Sequence, residues 1–227
     1  MKPLNFNKTI IMKTVLKLAL WALSIVFAYM IYLSVNAPIE FKKVKQERYT
    51  KVINTMKDIR NSQEAYKAVN GEFAKDFASL VAFIDSANYT ITQQRDSSFY
   101  EYNKVYRIDM LKEVKIIDTL GFISIKDSLF KKDTRYKNMM NVPYAQNNET
   151  FKMEAKVIRK NDYRVPVFKV TVDKNTILYD QPADLMAAEN AQMSVEEVNG
   201  SQIIVGSLVD VSMNGNWPPI YDKKKKN

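Results

Sequence analysis

Residues 49–73 read YTKVINTMKDIRNSQEAYKAVNGEF. Tyr49, Val52, Met56, Ile59, Gln63 and Tyr66 recur at alternating steps of three and four, so a helix would carry all six on one narrow face. Lys51, Lys57, Asp58, Arg60, Glu64 and Lys67 fall on the other faces. The spacing predicts a helix from Phe41 to about Val69. Two occupants fit its seam: the protein's own sheet, or the same helix of another subunit, for which fewer than three heptads is short. On either reading the six are candidate interface residues. Asn70-Gly71 supplies the left-handed conformation that ends a helix. Asp76 then reads as the N-cap of a second short helix, with Phe77, Leu80, Val81 and Ile84 as its apolar stripe. Glu64 falls on the solvated face and Glu72 in the corner, so this pair of carboxylates does not read as catalytic.

Upstream lies LALWALSIVFAYMIYLSVNAPI, residues 18–39, a run of 22 uncharged residues. As a helix it would extend about 33 Å, against a hydrocarbon core of about 30 Å. Leu18, Ile25 and Phe27 belong to the apolar body of this predicted anchor, and Trp21, Tyr29 and Tyr32 suit its interfacial zones. A cleaved signal peptide is the rival reading. Val35-Asn36-Ala37 offers small residues for cleavage, but Pro38 obstructs the next bond and the run exceeds the usual ~7–15 residues. An uncleaved anchor is the better expectation. Lys2, Lys8, Lys13 and Lys17 precede the span, while Lys42, Lys43, Lys45, Arg48 and Lys51 follow it with Glu40 and Glu47. Lys and Arg counts alone hardly orient it. The acid-free N-terminal tail favours a cytoplasmic N-terminus and a translocated main domain.

The net charge of +9 divides unevenly. Residues 1–51 hold nine Lys/Arg and two Glu, a net +7, and residues 222–227 hold +3. The intervening body has 21 basic and 22 acidic residues, a net −1. Charge gathered beside an apolar span points to lipid head groups, with Lys13, Lys17, Lys42, Lys43 and Lys45 as the contacts. A duplex-binding domain would carry it on the folded body, so nucleic acid is not an expected partner.

There is no Cys and no His. Disulfides and thiol chemistry are excluded, and the usual neutral-pH base and commonest transition-metal ligand are missing. The five Gly, at 71, 121, 200, 206 and 215, form no phosphate-cradling loop, so no nucleotide site of the common kinds is expected. Ser128-Leu-Phe-Lys131 has the S-x-x-K spacing of Ser–Lys hydrolases, without their S-D-N and K-T-G companions. Asp173 and Asn175 open like a calcium loop but lack its Gly and closing Glu. Glu196-Glu197 reads as a solvated pair. Asn88, Asn148 and Asn199 match the glycosylation sequon. No catalytic residue, cofactor or metal ligand is expected.

Downstream the patterning is β-rich. Phe151 to Val157 and Phe168 to Val172, the latter preceded by Val165-Pro166-Val167, alternate apolar and polar residues around a turn at Lys160-Asn161-Asp162, and Thr176–Tyr179 completes an expected three-strand meander. Pro166 confines its segment's start to an edge or bulge. Val114–Ile117 and Phe122–Ile125, split by Leu120-Gly121, predict a hairpin, as does Asn199-Gly200 between Val198 and Ile203–Val205. Pro182 opens a predicted helix through Met193. Trp217-Pro218-Pro219 reads as an extended strap on the core or an exposed partner contact. Lys223–Asn227 reads as disordered.

The expected fold is therefore α+β. It comprises a basic tail (1–17), a transmembrane helix (18–39), a juxtamembrane amphipathic helix and docking corner (40–85), an antiparallel domain (86–221) and a lysine tail (222–227). Over residues 18–85, with the corner AYKAVNGEFAKDFASLVAFI, the layout resembles pseudopilins and inner-membrane assembly subunits of type II secretion and type IV pilus machinery. It also resembles the broader set of single-pass bacterial envelope proteins. No Gly precedes residue 71, so the pilin processing site is absent and an unprocessed assembly subunit fits better than a polymerising pilin. The resemblance implies a non-enzymatic structural or assembly component at the inner membrane, with lipid and protein partners. The alternatives are a tethered binding or sensing module, its pocket lined by residues 99–106, and an anchored hydrolase acting through Ser128 and Lys131.

Overall fold

A computed structural model describes residues 5–131 and 133–222, with side chains described from residue 12 onward. The expected disorder of Lys223–Asn227 lies outside the described residues. Helix α1 spans Asn5–Asn70 without interruption, 66 residues and about 100 Å at 1.5 Å per residue. The apolar span and the seam-bearing helix are thus one element. Pro38 lies inside it, where its missing N–H withdraws one bond from the Ser34 carbonyl but does not end the helix. The helix stops where Asn70-Gly71 predicts: Gly71 adopts φ 79° and donates its N–H to the Lys67 carbonyl at 2.8 Å.

The corner then folds back on the helix. The Gln63 amide accepts from Ala74 N at 2.9 Å and donates to Ala74 O at 3.0 Å, while Phe73 stacks on Phe168. Helix α2, Phe77–Ser86, begins as expected, with Asp76 accepting from Ser79 N at 2.8 Å. Its Leu80, Phe83 and Ile84 are buried, and Tyr66 tilts against Phe83.

Strands β1, Asn88–Asn103, and β2, Ile108–Ser124, form a two-stranded antiparallel sheet of their own. The chain turns at 104–107, where Asn103 Oδ1 accepts from Val105 N and Tyr106 N. Leu120-Gly121 is no turn. Gly121 avoids the positive φ that a tight hairpin requires, and Leu120 is the extra residue of a bulge between the Ile91–Gly121 and Thr92–Thr119 pairs.

Helix α3, Ile125–Phe130, returns the chain to the core through Ile125 and Phe130. Strands β3 (Lys152–Lys160) and β4 (Tyr163–Asp173) pair antiparallel as the alternation predicts. The third strand is β5, Gln202–Gly206, which pairs with Lys169–Asp173. Thr176–Tyr179 is not a strand: Lys174–Ile177 is a helical turn, α4, and buries Lys174 and Ile177. β5 does not reach Pro166, so β4 is an edge there on one side. Asn199-Gly200 closes the loop before β5 and makes no hairpin; Asn199 Oδ1 accepts from Ser194 N at 2.7 Å. Helix α5, Ala183–Asn190, starts after Pro182 but is shorter than expected. Gly206, at φ 78°, ends β5 where a Cβ would stand 2.3 Å from the Phe168 carbonyl oxygen.

One core joins these parts. Phe168, Val170 and Val172 of β4, and Ile203 and Val205 of β5, face buried residues of α1, α2 and α3. The Trp217 strap lies on this core, its ring over Gly215 and its indole N–H on Asp222. On α1, five of the six seam residues are fully buried and Tyr66 is half-buried. Ile53, Ser62 and Ala65 are buried beside them, and Phe41 and Lys45 extend the stripe toward the N-terminus. A two-helix seam covers a narrow a/d line; this stripe is wider and is already filled by the chain's own core. Tyr49, Val52, Met56, Ile59, Gln63 and Tyr66 are therefore intramolecular packing residues, and the coiled-coil alternative is corrected.

Met56→Ala should lower the unfolding free energy of the full chain in detergent micelles by about 2–5 kcal/mol. The loss should not vary with protein concentration. Glu64→Ala, on the exposed face, should stay within about 0.5 kcal/mol of the parent. Denaturant titration at two concentrations a hundredfold apart checks both.

Candidate functional site

α1 changes environment along its length. From Met12 to Ile39 its large apolar side chains are exposed, including Leu18, Trp21, Ile25, Phe27, Tyr29 and Tyr32. Mean hydropathy reaches 2.1 over 18 residues, none of them buried, so the helix is long and apolar enough to cross a membrane. At Phe41 burial begins. Lys13, Lys17, Lys42 and Lys43 are exposed on either side of the apolar run.

Lys45 is different and corrects the sequence reading. It is buried, and its ammonium donates to Glu189 Oε2 and Glu197 Oε2, each at 2.9 Å. Glu189, from α5, is shared: its Oε1 accepts from Lys174 Nζ at 2.9 Å and from the Tyr49 hydroxyl at 3.2 Å. Lys174, wholly buried, completes its three donors on the Glu189 carbonyl at 2.9 Å and the Val198 carbonyl at 2.7 Å. Two ammonium and two carboxylate groups thus form a neutral, hydrogen-bonded cluster joining α1, α4, α5 and the loop before β5.

The two lysines respond oppositely to this shared setting. Burial pulls Lys45 down, yet its hydrogen bonds to Glu197 and Glu189 outweigh burial and raise its pKa. For Lys174 burial prevails over Glu189 and the nearby Lys45 charge adds to it, so its pKa is lowered. Burial, reinforced by the Glu189 charge, pushes the Tyr49 hydroxyl far up, so Tyr49 remains a neutral donor.

Further polar ties run down the helix. Arg48 grips Asp180 through two nitrogens at 2.6 and 2.8 Å, and donates to the Ile177 carbonyl at 2.8 Å. The Arg48 hydrogen bonds pull the Asp180 carboxyl down to about 2. Lys57 meets Asp222 at 2.8 Å and the Tyr221 carbonyl, and Asp58 meets Arg135 at 2.8 Å. Beside Lys45 a cleft of about 440 Å³ opens between α1 and the 218–221 segment, lined by Lys42, Gln46, Val195, Glu197, Ile220 and Tyr221 among others.

The remaining sequence candidates do not converge. Ser128 is exposed within α3, and Lys131 lies past its end at φ 49°; among the described residues no hydrogen bond joins them. Of residues 99–106, Glu101, Tyr102, Asn103 and Lys104 line an open cleft of about 440 Å³ with Met110, Leu111 and Lys112, while Phe99, Tyr100, Val105 and Tyr106 are exposed around it. Asp173 accepts from Gln202 and Asn175 from Asn190, so each supports local structure. Glu197 is half-buried and pairs with Lys45, so it and Glu196 are not a solvated pair. Lys174 and Glu189 escaped the sequence reading. One signal for Glu189 was its position three residues after Met186 on α5, the same face that is buried. For Lys45 it was the four-residue step from Phe41 and to Tyr49.

Glu189→Ala would leave two buried ammonium groups around one remaining, partly exposed carboxylate, and should cost about 3–5 kcal/mol of stability. Lys45→Met should cost less, because Lys174 keeps Glu189 and Glu197 can rehydrate. Tyr49→Phe should flatten the alkaline fall in stability. The unfolded tyrosine ionises above about pH 10 while the folded one stays protonated, so the folded state binds the extra proton and stability drops as pH rises through that value. Urea titrations between pH 7 and pH 11 read all three. Comparison with protein-family models, with curated proteins and with solved structures finds no match to this chain.

Proposed function

We propose that this chain is a single-pass membrane protein of the cell envelope, a non-enzymatic structural or assembly component. The observation that carries the reading is the continuity of α1. Its apolar, uncovered stretch and its core-forming stretch belong to one helix with no linker between them. A flexible tether would set only the greatest distance of the domain from the bilayer. An unbroken helix, tied to the domain by Lys45, Arg48, Lys57, Asp58 and Gln63, also fixes its height and tilt. In this reading residues 41–70 form the juxtamembrane amphipathic helix. Lys17 and Lys42, 25 residues and about 37 Å apart, frame the bilayer with Lys13 and Lys43. The N-terminus is cytoplasmic and the domain is on the far side of the inner membrane, as in the pseudopilin-like assembly subunits that the layout resembles. Confinement to the bilayer surface raises the effective concentration of neighbouring domains, so weak contacts suffice for assembly.

A second reading, a tethered binding or sensing module, is favoured by the cleft between Lys42 and Tyr221, which would sit at the membrane-facing end of the domain. The open cleft at residues 101–104 is of the same volume but lies on the hairpin, away from the helix that carries the span.

Fractionation and protease protection test the first reading. The full chain should resist alkaline carbonate extraction and leave the membrane only with detergent. A C-terminal tag should be cut once the outer barrier is opened while the inner membrane stays sealed. Recovery of a soluble protein beginning at or near Pro38 would sink the anchor, and a tag protected until the inner membrane is lysed would reverse the orientation.

A further inference from the structure

The β1–β2 hairpin has two free edges, since no third strand pairs with either among the described residues. An isolated two-stranded ribbon is marginal in water, and a long, unblunted edge is a template for another strand. β2 presents such an edge over 17 residues, without Pro and with its single irregularity at Leu120. Ile108, Met110, Leu111 and Ile117 are exposed along it. We propose that this edge binds a second copy of the chain: two β2 strands pair antiparallel about a two-fold axis at Val114, giving a four-stranded sheet β1-β2-β2′-β1′.

The choice of occupant and register comes from charge. In an antiparallel pair related by a two-fold axis normal to the sheet, residues across from each other share a face, so the axis must pass through one residue position. The regular part of β2 between the turn and the bulge, Ile108–Thr119, has its centre between Glu113 and Val114, and an axis at Glu113 would set two carboxylates together. With the axis at Val114, Glu113 faces Lys115 of the second copy and Lys115 faces its Glu113. Leu111 faces Ile117 in the same reciprocal way, and Val114 meets Val114. Moving the axis one residue places Glu113 on Glu113 or Lys115 on Lys115. Moving it to Lys112 sets two ammonium groups together, and moving it to Ile116 carries the pairing into the bulge while losing both opposed charge pairs. Lys112, the other basic residue of this segment, is held by Glu101 of its own hairpin at 2.6 Å. The edge is thus its own complement in one register. This inference deepens the assembly reading, and rests on it only for the confinement of copies to one bilayer.

The absence of native cysteine makes the test direct. Single-cysteine full-length chains are reconstituted in vesicles of phosphatidylcholine and phosphatidylglycerol and oxidised with copper phenanthroline. Val114→Cys should give mostly disulfide-linked dimer, since residues opposed across the axis have Cα atoms about 4.5–5.5 Å apart, within disulfide range. Lys112→Cys and Ile116→Cys alone should remain monomeric, each lying about 14 Å from its own copy. Mixed, those two should crosslink to each other. In the Val114→Cys background, Glu113→Lys and Lys115→Glu should each reduce dimer at least tenfold, and mixing the two should restore it. Unchanged thermal unfolding of the charge variants shows that the core is intact. Equal crosslinking at 112, 114 and 116, no crosslinking at 114, or indifference to the charge changes overturns the pairing. Loss of the chain from the vesicle pellet would instead overturn the anchor, so the two failures are told apart.

Discussion

Helix α1 must satisfy two environments with one backbone. Across residues 18–39 its side chains are uncharged and mostly apolar on every face, and nothing in the fold covers them. After Phe41 only a stripe is apolar, and that stripe supplies Tyr49, Val52, Ile53, Met56 and Ile59 to the core. Sheet, short helices and C-terminal strap are arranged around this one surface. Removing α1 would leave β4 and β5 with an uncovered apolar face, which three strands alone cannot hide from water. The remainder of the structure follows from that dependence.

The ionic cluster at the start of the buried stripe has a different energetic character. Burying two ammonium groups and the Glu189 carboxylate, with Glu197 half-exposed beside them, costs solvation that their attraction recovers only with full hydrogen bonding. The geometry meets that condition at Lys174, whose three donors are all used, and at Glu189, which is bonded through both oxygens. Its contribution is better described as specificity than as net stability. An apolar stripe tolerates sliding or rotation by one residue, whereas Lys45 must meet two named carboxylates. This registers the helix against α5 and so fixes how the domain is set relative to the uncovered span.

The hairpin stands outside this economy of burial. Its strands contribute little to the core beyond Tyr89, and its apolar residues sit on both faces with a balanced set of charges between them. Such a ribbon gains little by folding alone and more by pairing at an edge. Its base is pinned by the Ile125 N–H on the Ala87 carbonyl at 3.1 Å, so an arm of this length is tied to the same frame that α1 orients.

Local chemistry was enough to decide much of this architecture. The three-and-four spacing marked the buried face of α1, Asn70-Gly71 its end, Asp76 the next cap, and alternation the β3–β4 pair. Each depends on a few neighbouring residues, and the backbone has few alternatives there. What only tertiary structure decided involves partners far apart in the chain. Thr176 and Ile177 have strand propensity, yet the turn goes helical where Lys174 reaches Glu189 and the place beside β4 is taken by β5. Gly121 resembles a turn residue until β1 holds it extended through the Leu120 bulge. Lys45 and Glu197 look like solvated charges until folding brings them within 2.9 Å across 152 positions. Periodicity records which face is dry, but a charge on that face is stable only with a partner that no local pattern can name.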